Sequence, residues 1–226
     1  MSGLASFLDT AFAGFDGAIL EAMHSAAEVC GAVLTPIAKF MTFIGEKGIL
    51  FFLIAAVLLC FPKTRKAGVC VFGAVCCGAL ITNIILKDAV ARIRPLEASE
   101  LYAAFAEFVK APAESEFSFP SGHVTAAMAG VTALCLTRRE KYVAVAGFPF
   151  VVILAASRSY LMAHYPTDVI AAVIVGAVSA VIAYFITVLI FELLEKYREK
   201  KFFAFILGFD VRDLFAKKDK KTDSEV

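Results

Sequence analysis

Residues 67–86 run for twenty positions without one charged side chain. A helix of that length rises about 30 Å, the thickness of a bilayer's hydrocarbon core. A soluble domain would have to hide such a segment on every side, and little else in the chain could cover it. Hydrophobic residues make up 60% of the 226, charged residues 19%, and the mean hydropathy is +0.80. That balance excludes a disordered chain and an ordinary soluble globule. The net charge of +1 gives no general attraction to nucleic acid.

The pattern predicts an all-α, polytopic membrane helical bundle. Six spans are expected, over 18–44, 48–62, 67–86, 124–137, 142–161 and 169–191. Ahead of them Leu4, Phe7, Leu8, Ala11 and Phe15 recur at helical spacing, as in an amphipathic helix lying at the interface. The N-terminus has neither the basic region nor the cleavage site of a signal peptide. Residues 1–195 read as one domain and 196–226 as a cytoplasmic tail. In that tail Phe202, Phe203, Phe205 and Phe209 alternate with lysines before a polar end at 217–226. All six cysteines fall in apolar stretches without metal-site spacing, so they read as small buried hydrophobes.

Charge sets the orientation. Lys63, Arg65 and Lys66 form one basic connection, Arg138, Arg139 and Lys141 a second, and Lys196, Arg198, Lys200 and Lys201 a third. The positive-inside rule places all three in the cytoplasm. With six spans, both termini lie there too. The acid-rich connection 88–120 and the short one at 162–168 then face outward, as in a multi-pass plasma-membrane protein.

Polar residues gather on that outward side in three clusters: Lys87, Arg94 and Pro95; Pro120, Ser121, Gly122 and His123; and Ser157, Arg158, His164 and Asp168. If the third span continues as a helix, Lys87 and Arg94 share a face two turns apart. Two guanidiniums and an ammonium match the oxygens of a phosphate group. Ser121 and Gly122 at a helix start add backbone N–H groups and the positive dipole end. A histidine with a carboxylate four residues on, plus a second histidine, suits a nucleophile or base and a separate proton donor. Singly, each feature has a plainer reading. Lys87 could snorkel, the Pro–Ser–Gly–His run could be a helix entry, and Asp168 could be a cap. Arg92 reads as a residue snorkelling to headgroups. Glu21, His24, Glu28 and Lys39 share a face directed at the bundle or the headgroups.

Together the clusters resemble the three-part signature of the phosphatidic acid phosphatase type 2 and vanadium haloperoxidase superfamily, Lys-x6-Arg-Pro, Pro-Ser-Gly-His and Ser-Arg-x5-His-x3-Asp. Every fixed position matches, over roughly residues 87–168. The resemblance implies a six-span lipid phosphatase of bacterial type, metal-independent and without a cofactor. By it, His164 is the nucleophile, Asp168 holds its ring and His123 protonates the leaving oxygen. Lys87, Arg94, Arg158, Ser121, Gly122 and Ser157 bind the phosphoryl oxygens. The expected partner is a lipid phosphate or diphosphate whose tail stays among the membrane lipids. Undecaprenyl diphosphate ranks first, with phosphatidylglycerol phosphate and phosphatidic acid as alternatives. Halogenation with vanadate and a non-catalytic lipid transporter or scaffold are the competing classes. Residues 96–119 are left unspecified by the signature and are expected to form a lid or interfacial helix.

Overall fold

The uncharged run 67–86 is helical throughout in the computed structural model, which describes residues 2–213. It belongs to α4 (Arg65–Ala79), a π-helical segment Leu80–Leu86 and a last turn, α5 (Lys87–Val90). The other elements are α1 (Gly3–Ala11), α2 (Ala13–Gly45), α3 (Ile49–Leu59), α6 (Pro95–Ala98), α7 (Glu100–Phe108), α8 (Gly122–Arg138), α9 (Lys141–Tyr160), α10 (Pro166–Lys196) and α11 (Lys201–Gly208). No strand occurs among the described residues. Among the described residues, four stretches are long and apolar enough to cross a membrane: Ala13–Leu59, Arg65–Ala98, Lys141–Tyr160 and Pro166–Lys196. The polar end at 217–226 lies outside the described residues.

Helix α8 sits at the centre, packed mainly on α4 and α10, with α9 on another flank. Its buried face is small: Ala126, Ala127, Ala129, Gly130 and Ala133. Small faces let helices approach closely in lipid, where no hydrophobic force drives them together. Gly130 makes room for the Phe51 ring, which would stand 2.1 Å from a Cβ there. Gly176 of α10 meets the α8 backbone itself, with the Thr125 carbonyl oxygen 2.6 Å from where its Cβ would be. Large apolar side chains such as Val33, Phe43, Val152, Phe185 and Leu189 point outward, as lipid-facing surface requires.

The first sixty residues differ from the six-span expectation. An antiparallel pair over 18–44 and 48–62 would pack α2 against α3 along its length, and the two barely touch. Instead the chain runs in one direction from Ala13 to Leu59, kinked at Cys30 ahead of Pro36 and broken at the turn Glu46–Gly48. Lys47 and Gly48 are both left-handed there, at φ 48° and 70°. Early residues of α2 contact the motif end: Asp16 accepts from the Thr167 N–H at 2.9 Å. Further along, Gly45 packs on Leu154 and Phe51 on Gly130, progressively deeper in the bundle.

The N-terminus therefore lies at the motif end. Ser2 Oγ donates to the Val90 carbonyl, and Ala5 and Leu8 pack on Val90 and Phe119. The C-terminal part lies at the opposite end, where buried Arg65 donates to the carbonyls of Leu207, at 3.0 Å, and of Phe209. Ser2 and residues 207–209 thus lie at opposite ends of the bundle.

Candidate active site

The motif residues converge where the connections at one end of the bundle close over a cavity of about 450 Å³. Asn83, Lys87, Arg94, Gly122, His123 and His164 line it, with Val75 and Ala79 deeper on α4. Lys87 and Arg94 do not reach it on one helix face. Ala91, at φ 52°, stops α5, and Pro95 bars helical geometry at Arg94, which is extended at ψ 152°. A turn, not two helical turns, brings the second cation in.

His164 is 1% exposed, in the connection between α9 and α10. Its Nδ1 lies 2.7 Å from the Ser118 carbonyl oxygen. A carbonyl only accepts, so Nδ1 carries the proton and Nε2 presents a lone pair. Burial pushes this imidazole well below its ordinary pKa, and the positive charges of Arg158 and Arg94 push the same way. The ring is therefore neutral, the form a nucleophile needs. Arg94 NH1 stands 3.2 Å from Nε2 and also donates to the Ala163 carbonyl at 2.8 Å.

Asp168 does not hold the ring directly. Its carboxylate is 4.0 Å from His164 Nδ1 and instead accepts from Ser118 Oγ at 2.5 Å. It thus fixes the residue whose carbonyl fixes the histidine. Asp168 is not the N-cap of α10, which is Tyr165, but the third residue of its first turn, and it accepts the Tyr165 N–H at 3.0 Å as the reciprocal half of a capping box.

Arg92 is the largest departure from the sequence reading. Far from snorkelling, it is 1% exposed. It donates to Asp9 at 2.7 Å, Asp16 at 2.9 Å, Asp168 at 2.6 Å and Thr167 at 2.8 Å, and lies over the Tyr165 ring. A guanidinium with forked donors can serve three carboxylates at once, where an ammonium could not. It joins the N-terminal helices to the carboxylate that steadies Ser118 behind His164. Only its place two residues before Arg94 hinted at this.

Two further residues lie in the segment the signature leaves open. Glu116 pairs with Lys87, and Glu114 pairs with Arg158 and, at 3.4 Å, with Arg94. Arg94 Nε also donates to the Glu116 carbonyl at 2.6 Å. Burial would raise the Glu114 pKa, but Arg158 and Arg94 outweigh it and hold the carboxyl below its usual range. The hydrogen bond and charge of Lys87 do the same for Glu116. The stretch expected to form a lid or an interfacial helix holds the end of α6 and the short helix α7, followed by an acidic strap over the cations. No sequence pattern marks it.

Ser121 Oγ and Arg158 Nε are buried without a protein partner. Ser157 differs, because its hydroxyl donates to the Ile153 carbonyl of its own helix at 2.7 Å rather than into the cavity. Among Glu21, His24 and Glu28, His24 stacks on Phe105 of α7, a packing role.

The family described as the PAP2 superfamily matches residues 67–192. An undecaprenyl-diphosphatase of Sulfolobus acidocaldarius is 29% identical over 124 residues, 55% of this chain and 57% of that protein. The chain thus aligns with little more than half the length of that relative. Two crystal structures share the fold, each with a TM-score of 0.60. LpxE of Aquifex aeolicus is 20% identical, covering 73% of this chain and 93% of its own. A transmembrane PAP2 type phosphatidylglycerolphosphate phosphatase of Bacillus subtilis is 24% identical, covering 86% and 94%.

Proposed function

The chain belongs to the PAP2 superfamily, and from that premise we propose that it hydrolyses a lipid phosphate or diphosphate at the outer face of the membrane through a phosphohistidine. One observation carries the reading: buried Lys87 and Arg94 line one cavity with both histidines, and Glu114 of the same lining pairs with buried Arg158, whose Nε is unpartnered, as is Ser121 Oγ. Lys87, Arg94 and Arg158 bind the phosphoryl oxygens and stabilise the charge of the transition state. His164 Nε2 attacks phosphorus in line while the bond to the lipid oxygen breaks, and His123 gives that oxygen its proton. His123 then takes a proton from water, which attacks the phosphohistidine and releases phosphate with His164 regenerated.

The substrate ranked first is undecaprenyl diphosphate. The name of the Sulfolobus relative supports it, and so does sidedness, because a carrier lipid is left as a diphosphate on the outer leaflet after delivering its cargo. The purified protein should release phosphate with the highest kcat/KM from undecaprenyl diphosphate, ahead of phosphatidylglycerol phosphate and phosphatidic acid. Equal rates on all three would remove the carrier-lipid assignment, and no release from any would remove the phosphatase reading.

Since the protein's own cations supply the charge stabilisation, activity should survive excess EDTA. Orthovanadate should inhibit, as five-coordinate vanadium resembles the phosphoryl transition state. Loss of activity in EDTA with recovery on adding magnesium would refute this scheme.

Sidedness is open to direct measurement in a cysteine-free background. Single cysteines at exposed Thr10 and Ser115 should react with a membrane-impermeant maleimide on intact cells or spheroplasts. One at Arg198, at the opposite end, should react only after lysis. The reverse labelling would put the site in the cytoplasm.

A further inference from the structure

A pocket of three cations open to a bilayer faces a selectivity problem. Phospholipid headgroups are phosphodiesters with one negative charge, and they surround such a site in vast excess over any substrate. A terminal phosphate differs in charge and in oxygens: about −1.5 to −2 near neutral pH, with three free oxygens. A diester offers two free oxygens and one charge.

We propose that Glu114 and Glu116 are specificity-determining residues, an internal two-charge competitor that yields the cations to a terminal phosphate and withholds them from phosphodiester headgroups. This rests on the phosphatase reading of the same site. The cations are not vacant: Glu116 sits on Lys87, and Glu114 bridges Arg158 and Arg94. A ligand must therefore replace two carboxylates. A phosphate dianion does so charge for charge, with an oxygen for each cation. A diester displaces both only by leaving a buried guanidinium or ammonium under-compensated, a costly state at a site where Arg94 and Arg158 are 2% and 0% exposed. Displacing one carboxylate leaves the other in the way.

The strap is built to be displaced. Its ends are tied by the Ala111 N–H to the Ala106 carbonyl at 2.9 Å and by the Ser118 N–H to the Arg92 carbonyl at 2.8 Å. Between these ties, residues 112–117 make no backbone–backbone hydrogen bond. What holds that stretch on the pocket is the set of contacts a phosphate would take over, namely the three ion pairs and the Arg94 bond to the Glu116 carbonyl. Both ties lie outside the exchange, so Ser118 can keep its hold on His164 while the glutamates leave.

The test uses the full-length protein in non-ionic micelles, with Glu114→Gln, Glu116→Gln and the double variant, and Glu107→Gln on exposed α7 as control. Phosphatidic acid turnover is measured against rising phosphatidylglycerol, a diester. The double variant should be inhibited at about tenfold lower diester than wild type or control, and its KM for phosphatidic acid should fall. A second arm needs no turnover. Inorganic phosphate should raise the thermal midpoint of both proteins, and dimethyl phosphate that of the double variant alone. Exposed Glu116→Gln should show a smaller effect in the same direction and guards against misfolding of the double variant. Equal diester sensitivity in wild type and variants, or a raised KM in the variants, would overturn the proposal. Absence of turnover with the dimethyl phosphate contrast intact would instead count against the phosphatase reading alone.

Discussion

Replacing His164 by Ala should lower kcat by a factor on the order of 10⁴–10⁶, the range seen when a covalent nucleophile is removed. The expectation rests on the ring's surroundings. Nδ1 is committed to the Ser118 carbonyl, burial keeps the ring neutral, and the Nε2 lone pair is left beside Arg94. Rapid quenching with a labelled substrate should trap an acid-labile phosphoenzyme in wild type and none in the variant. His123→Ala should behave differently, slowing poor leaving groups most and leaving good ones nearly unaffected, because its task is the departing oxygen. A His164 variant with normal turnover, or one that still forms the acid-labile adduct, would refute the assignment.

Arg92→Met should be nearly as damaging, by another route. It leaves Asp9, Asp16 and Asp168 facing one another around a site that is 1% exposed. Removing one partner from a buried charge cluster costs about 3–5 kcal/mol, which should appear as a lower thermal midpoint in detergent. Arg92 does not touch the cavity; it acts through Asp168 and Ser118. In protein that remains folded, kcat should therefore fall further than KM rises. Arg92→Lys should recover part of the stability and little of the rate, since an ammonium cannot keep three carboxylates in fixed directions. Unchanged kcat in a folded Arg92→Met protein would show the cluster to be scaffold only.

The chemistry of the site was more legible than its supports. Lys87, Arg94, Arg158, Ser121, Gly122, His123, His164 and Asp168 stand at fixed spacings, and spacing survives in a sequence. Arg92 carried no such mark. A basic residue near a span end reads as snorkelling until its partners are known, and those lie 76 and 83 residues away. Glu114 and Glu116 were invisible for a related reason: a strap without regular structure has no periodicity to read. The N-terminal course is beyond the reach of hydropathy, which reports where helices are and not which way they run. Glu46 and Lys47 look like a reversing loop, but Lys47 and Gly48 are left-handed and α2 and α3 barely touch.

The Arg92 cluster also bears on biogenesis. Its carboxylates come from the first sixteen residues and from position 168, the guanidinium from between them. During synthesis the early acids and Arg92 emerge long before α10 has left the ribosome. Until that helix inserts, Arg92 lacks its third carboxylate and His164 lacks the neighbour that steadies Ser118. The cluster thus closes last, once α10 has joined the bundle. A chain cut before α10 would keep Lys87, Arg94 and Arg158 but lack the carboxylate that ties Arg92 to Ser118.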